Sequence, residues 1–260
     1  MATLDDVGGC FSCGSKICHF NRQDGFHGKR RTLHLRRGER LEACRDGCVK
    51  FWTVVSGTAA ITTNLRDGRR QISGIERTGS TICGPMAHED SPIWLEALEP
   101  CEICEIDFSD EMPVLQDDPA FLKAMFAVIH ARLETANRHL TTLGRLDSTE
   151  RVTLFLAEMA ATAATPGPVY LPMSRDEIAD YLGLNTETVS RIMTRLRKAG
   201  LFKFLNRNEF VVLDPEAVAR RLPVRLAHRP RTLFGPETRG ERTGACPVPH
   251  PAARQSEPSS

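Results

Sequence analysis

Residues 173–196 constrain the fold of this chain more than any other segment. Ser174 followed three residues later by Glu177 is a capping box that begins a helix. Gly183 ends that helix, because glycine readily adopts a left-handed backbone conformation. The buried stripes of this helix and of the one that follows consist of Ile178, Ala179, Leu182, Val189, Ile192, Met193 and Leu196. Two short helices joined by a glycine turn predict a helix-turn-helix.

The second helix, capped by Asn185 or Thr186, presents polar side chains on its outer face. The first turns of such a helix lie in the major groove of double-stranded DNA. There Arg191 can make two hydrogen bonds to guanine, and Glu187 can accept one from cytosine N4. The outward residues are Thr186, Glu187, Ser190, Arg191 and Thr194, and Arg195, Arg197 and Lys198 follow as candidates for phosphate contacts.

A plainer interpretation of the same helix is that Glu187 and Arg191, four residues apart, form only a surface ion pair. Such a pair contributes roughly a few tenths of a kcal/mol. The capping box, the glycine turn and the second buried stripe occur together, which favours DNA reading. Residues 202–213 then predict two strands about a turn, the wing of a winged helix.

A long helix is predicted upstream, because apolar residues recur at alternating spacings of four and three. They are Leu122, Phe126, Ile129, Leu133, Ala136, Leu140 and Leu143. So narrow a stripe favours a two-helix contact in a homodimer. The alternative is an amphipathic helix that lies on its own domain.

Short runs rich in Val, Ile and Thr alternate with turn residues between about residues 29 and 108, which predicts an antiparallel sandwich or roll. The fold class is therefore α+β. The boundaries that we predict are a cysteine-rich N-terminal arm over 1–28, a β-roll sensor domain over 29–113, a dimerisation helix over 114–146, a winged helix-turn-helix DNA-binding domain over 147–222 and a disordered Pro- and Arg-rich tail over 223–260.

Composition narrows the class of protein. The formal net charge is only +1, which excludes a uniformly basic coat for nucleic acid. No apolar run approaches the length of a membrane span, and the acidic start lacks a signal pattern, so we expect a cytoplasmic protein. In that compartment the nine cysteines are expected to be metal ligands, redox groups or buried side chains rather than disulfides.

Residues 29–222, with a β-roll, a long dimer helix and a C-terminal winged helix ending in Ala199-Gly200-Leu201, resemble the Crp/Fnr family of bacterial transcription regulators. The pattern of Glu187, Ser190 and Arg191 is similar to the Fnr branch. The resemblance implies a cyclic-nucleotide-binding-like jelly roll, a dimer, contacts with RNA polymerase, and TTGAT-like half-sites of a palindrome read by these three residues. It also implies control of genes for low-oxygen or anaerobic respiration. Thr186 stands where the family often has Val, so the preference at one base is open.

The resemblance to the Fnr branch further implies an oxygen-labile [4Fe-4S] cluster, since such clusters are held by four thiolates. Cys10, Cys13 and Cys18 form the N-terminal set. Aligning Ala97-Leu98-Glu99 with its family counterpart selects Cys104 as the fourth ligand, and Cys101, which also precedes Glu-Ile, remains a competitor.

Other interpretations stay open. A zinc site from the same four cysteines has similar ligand chemistry, and Cys44 with Cys48 would suit a dithiol redox switch. Members of the family that bind a cyclic nucleotide hold its ribose with an acidic side chain and its phosphate with an Arg. The comparable segments here, Gly79-Ser80-Thr81 and residues 92–97, lack both groups, so cyclic nucleotide binding is not expected. A cupin-like metal enzyme fused to a DNA-binding domain would need converging histidines, and His34 and His88 are isolated, so no enzyme activity is expected.

Overall fold

The computed structural model describes Ile17 and residues 29–42, 49–84, 93–110, 116–163 and 167–224. Its N-terminal half holds eight strands in two four-stranded antiparallel sheets, of order β1-β8-β3-β6 and β2-β7-β4-β5. The strands are β1 (Lys29–Leu35), β2 (Arg40–Glu42), β3 (Lys50–Ser56), β4 (Thr58–Asn64), β5 (Arg70–Arg77), β6 (Thr81–Gly84), β7 (Ile93–Ala97) and β8 (Cys101–Asp107). The predicted α+β class with an N-terminal β-roll is confirmed.

Alternation along the strands divides the apolar side chains between two faces. On β3, Trp52 and Val54 belong to the core between the sheets, whereas Phe51 belongs to a second core on the opposite face. The turn between β3 and β4 requires glycine. Gly57 has a φ of +86°, and a Cβ there would lie 2.5 Å from the carbonyl oxygen of Pro100.

Over residues 116–163 and 167–224, five helices follow these eight strands. They are α1 (Pro119–Arg145), α2 (Ser148–Ala161), α3 (Arg175–Leu182), α4 (Thr186–Lys198) and α5 (Pro215–Arg220). Asp118 caps α1 by accepting hydrogen bonds from the backbone amides of Ala120 and Phe121. Phe121 then packs edge-on against Phe51 and Phe108, with ring centroids 6.3 Å and 5.5 Å away. These rings attach the start of the long helix to the β-roll.

The C-terminal half is built around its helix-turn-helix and a three-stranded sheet of order β10-β11-β9. Its strands are β9 (Val169–Tyr170), β10 (Phe202–Phe204) and β11 (Glu209–Val212). The end of α1 contacts α3 through His139 and Tyr181, whose rings are stacked with centroids 4.2 Å apart. Burial lowers the pKa of His139, so the imidazole is neutral in this contact. Within the described ranges, no helix has the length and apolar character needed to cross a membrane.

Candidate functional site

The helix-turn-helix predicted from the capping pattern is present. The Ser174 hydroxyl accepts from the Glu177 amide at 3.2 Å, and the Glu177 carboxylate accepts from the Ser174 amide at 2.6 Å. Gly183 ends α3 in the left-handed conformation, with a φ of +61°. Asn185, rather than Thr186, caps α4 by accepting from the Thr188 amide at 2.8 Å. All seven apolar positions predicted to be buried in the two helices are buried.

The outer face of α4 carries the predicted reading residues. Glu187 and Arg191 are exposed and form the i,i+4 ion pair of the plainer interpretation. Because an exposed pair of this kind contributes only about 0.2–0.5 kcal/mol, bases in a groove can replace it at small cost. Thr186 donates its hydroxyl proton to Asp176 of α3, which holds the start of α4 against the preceding helix.

Positive charge is concentrated at the end of α4. Arg195, Arg197 and Lys198 lie exposed in its last turn, where cations also interact favourably with the helix dipole. A phosphate backbone that runs past this end meets three cations. The predicted phosphate contacts are therefore sterically accessible.

The wing predicted over residues 202–213 consists of β10 and β11, which pair antiparallel. Its contacts with the helix-turn-helix and with the segment just before it include two made by side chains. The Arg175 guanidinium lies 5.5 Å from the ring centroid of Phe204, and the Asn208 side-chain amide donates to the Leu171 carbonyl at 2.9 Å. The wing also shares an apolar core with α4, through Phe202 and Phe210.

Arg151 is a structural residue whose role sequence reasoning did not identify beyond its place in the first turn of α2. Its guanidinium donates to the carbonyls of Leu143, Leu146 and Leu182, at 2.6, 3.0 and 3.1 Å. It thereby joins the end of α1 to the end of α3. No sequence pattern signals this role, because backbone carbonyls are the partners and one of them is 31 residues away.

The two cysteines of β8 point in different directions. Cys104 is 2% exposed and Cys101 is 4% exposed, but they stand three residues apart on β8 and so face opposite sides of the sheet. The Cys101 thiol lies in the core between the sheets and donates to the carbonyls of Thr58 and Glu99, at 3.1 Å each. Burial raises the pKa of this thiol, which favours the neutral form.

Cys104 lies in the other core, together with Ile17 of the N-terminal arm. That core also contains Phe51, Phe108 and Phe121. Ile17 is fully buried there and directly precedes Cys18 in the sequence. One arm residue is therefore anchored on the Cys104 face of β8 and not on the Cys101 face.

The remaining predicted cysteine positions, Cys10, Cys13, Cys18, Cys44 and Cys48, lie outside the described residues, as does His88. His34 is exposed on β1 opposite Glu102. Within the part of the chain that the structure describes, no group of three or more His, Cys, Asp or Glu side chains is arranged to hold a metal ion. Gly79-Ser80-Thr81 links β5 to β6, and the absence of cyclic nucleotide binding stays a prediction.

Comparison with known proteins extends these observations. Residues 150–221 match the Crp-like helix-turn-helix domain. The chain is 31% identical over 194 residues to the nitrogen fixation regulation protein FixK of Bradyrhizobium diazoefficiens, over 72% of this chain and 80% of that protein. It is 30% identical over 181 residues to the transcriptional activator protein FnrA of Stutzerimonas stutzeri, over 67% of this chain and 73% of that protein.

The fold has a solved counterpart as well. The structure of FixK2 from Bradyrhizobium japonicum superimposes with a TM-score of 0.68 at 27% sequence identity. The match covers 76% of this chain and 99% of the FixK2 chain. Both the β-roll half and the helix-turn-helix half of the molecule therefore have a counterpart in a single known protein.

Proposed function

We propose that this chain, which belongs to the Crp/Fnr family of DNA-binding transcription regulators, forms a homodimer that reads a palindrome with TTGAT-like half-sites. The observation that carries the proposal is the outer face of α4. It presents Glu187, Ser190 and Arg191 on a helix whose start is set by the Gly183 turn and the Asn185 cap.

The chemistry of these side chains fits one half-site. TTGAT contains a single G·C pair, which offers guanine O6 and N7 to the Arg191 guanidinium and cytosine N4 to the Glu187 carboxylate. Ser190 lies between them and reaches a base or a phosphate. Arg195, Arg197 and Lys198 contribute affinity through phosphates without reading sequence.

A binding measurement with the unmodified protein tests this function. Protein purified without oxygen is titrated against a duplex that carries the palindrome and against the same duplex with scrambled half-sites. We expect the palindrome to bind at least about 1,000-fold more tightly at physiological salt, the lower end for sequence-specific regulators. Equal affinity for the two duplexes would contradict the proposal.

The homodimer is supported by the outward face of α1. Four residues of the predicted stripe are exposed in a single chain, namely Phe126 (60%), Ile129 (44%), Leu133 (56%) and Leu140 (68%). They repeat along one side of the helix, opposite the side that packs on the β-roll through Phe121 and Ala124. A continuous apolar stripe of this kind is the seam by which two helices pair.

The substitution Leu133→Asp is expected to abolish this dimer, because pairing would bury two carboxylates without partners and each costs several kcal/mol. Light scattering after size-exclusion chromatography should give the 28.9 kDa mass of one chain. Thr135→Asp is the matched control, since Thr135 is exposed on the same helix but outside the stripe. Binding to the palindrome should be lost with Leu133→Asp and kept with the control. If the Leu133→Asp protein were still a dimer, the proposal that this stripe of α1 forms the dimer contact would be wrong.

For the sensor we propose a [4Fe-4S] cluster held by Cys10, Cys13, Cys18 and Cys104. Bound there, the cluster would supply an oxygen-labile covalent link between the arm and the roll. Ile17 supports the assignment, because its burial in the Cys104 core anchors the arm beside Cys18. The same core contains Phe121 and Ala124 of α1, so the position of the arm is coupled to the dimerisation helix by direct packing. A change in that packing shifts the population of the DNA-binding dimer.

The regulatory setting is part of the same proposal. Relatives of the chain carry the names transcriptional activator and nitrogen fixation regulator. We propose that this protein activates genes used at low oxygen through contacts with RNA polymerase. The surface that contacts the polymerase has no distinct motif in this chain.

A further inference from the structure

The first helix of the helix-turn-helix presents an acidic side to the β-roll. The acidic residues of α3 are Asp176, Glu177 and Asp180. Two of them face arginines of the roll. Arg37, which follows β1, contacts Glu177, and Arg70, which begins β5, the strand against which α3 packs, lies near Asp180. Opposite charges therefore meet where the sensor half touches the DNA-binding half.

Arg37 makes contacts with three separate segments. Its Nη2 donates to both carboxylate oxygens of Glu177, at 2.9 and 2.7 Å. Its Nη1 donates to the carbonyl of Pro172, at 2.7 Å, and to that of Leu98. Leu98 lies in the turn between β7 and β8, whereas Pro172 directly precedes the start of the helix-turn-helix. One side chain thus connects the roll to Pro172, just before α3, and to Glu177 in the first turn of α3.

The surroundings of this contact give it a directional role. Ala60, Ile72 and Leu98 of the roll share one apolar core with the DNA-binding half, including Met173 and Ile178. Apolar packing is non-directional and resists separation more than rotation. The hydrogen bonds from the Arg37 guanidinium to one carboxylate and two carbonyls, by contrast, are directional and fix orientation. A second charged contact lies across the interface, where Arg70 Nη1 is 3.8 Å from Asp180 and Nη2 is 3.0 Å from Glu96.

We infer that Arg37 is a positioning residue for DNA reading, which sets the angle at which α4 is presented by the roll. The inference rests on the proposed palindrome reading. Glu177 caps α3 through Ser174, and α3 is joined to α4 through the Gly183 turn, so an orientation imposed at Glu177 is passed to Arg191. In a dimer the two α4 helices must lie about 34–36 Å apart to reach both half-sites. The angle between α4 and the roll therefore affects binding to the palindrome and not binding to a single half-site.

The test compares two duplexes with each protein, purified without oxygen. One duplex carries the palindrome and the other a single half-site. For Arg37→Ala we expect the ratio of palindrome affinity to half-site affinity to fall about tenfold, within the usual range of coupling between linked sites. Half-site affinity should stay within about twofold, because the reading residues are untouched. A merely destabilised protein lowers the active concentration on both duplexes alike and leaves the ratio unchanged.

Arg36→Ala is the matched control, since Arg36 is the exposed neighbour of Arg37 and its removal changes the net charge equally. Glu177→Gln gives a second route if Arg37→Ala folds poorly, because the amide keeps an acceptor for the Ser174 cap and loses the charge. Arg37→Lys should recover part of the ratio, because lysine keeps the charge but lacks the planar guanidinium that donates to Glu177 and to both carbonyls at once. If Arg36→Ala and Arg37→Ala give the same ratio of palindrome affinity to half-site affinity, and the wild-type protein prefers the palindrome, the positioning role of Arg37 is wrong and the proposed function stands. Wild-type protein that does not prefer the palindrome overturns the proposed function beneath it.

Discussion

The substitution Arg191→Ala is expected to weaken specific DNA binding strongly while leaving the fold intact. The Arg191 side chain is 70% exposed, and its ion pair with Glu187 is also exposed, so the truncation leaves no buried group without a partner. A bidentate contact with guanine is worth about 1–3 kcal/mol. A dimer makes two of them, and the affinity for the palindrome should fall roughly 30-fold or more.

Fluorescence anisotropy with the palindrome measures this loss, and a base substitution sharpens it. Changing the G·C pair of each half-site to A·T should weaken binding by the wild-type protein more than binding by Arg191→Ala, because the variant has only the Glu187 contact with that pair left to lose. Arg220→Ala is a matched control, because Arg220 also forms an exposed i,i+4 pair, with Glu216 on α5. If Arg191→Ala distinguished the G·C palindrome from the A·T palindrome as strongly as the wild-type protein does, the assignment of the outer face of α4 to DNA reading would be contradicted.

The second large effect concerns the sensor. Protein purified without oxygen is expected to be coloured, with a broad visible absorption that bleaches in air and about four irons and four sulfides per chain. Cys104→Ala should lose the colour and the iron. Cys101→Ala should keep both, because its thiol points into the core between the sheets and is hydrogen-bonded to Thr58 and Glu99.

The two cysteine substitutions control for each other. Both residues are almost fully buried and lie on the same strand, so the loss of packing is similar, and thermal melting of the two variants in their cluster-free forms should shift by similar amounts. Colour retained in Cys104→Ala and lost in Cys101→Ala would reverse the ligand assignment. A colourless wild-type protein that contains zinc, or no metal, would eliminate the cluster.

Much of the DNA-binding half could be predicted from the sequence because its signals are local. The cap at Ser174 involves a residue three positions away, and Gly183 acts through its own backbone. The spacing of Phe126, Ile129 and Leu133 likewise reports one helix face, and these residues are exposed on one side of α1. Interactions within one or two helical turns do not depend on how the rest of the chain folds.

The cysteine assignment shows where local reasoning ends. A separation of three on a strand already places Cys101 and Cys104 on opposite faces. Only the packing of Ile17 with Phe51 and Phe121 indicates which face receives the arm. That contact joins residues more than 30 and 100 positions apart in the sequence, and periodicity contains no information about it.

The sequence by itself determined the helix-turn-helix, its outward residues and the apolar seam, since capping and helical periodicity act between near neighbours. The tertiary structure alone decided that Cys104 shares a core with Ile17, that Arg151 joins the ends of α1 and α3, and that Arg37 connects the roll to Glu177. The last of these spans 140 positions. Such contacts depend on strand register and on the docking of the two halves, because only the folded chain brings distant residues within hydrogen-bond distance.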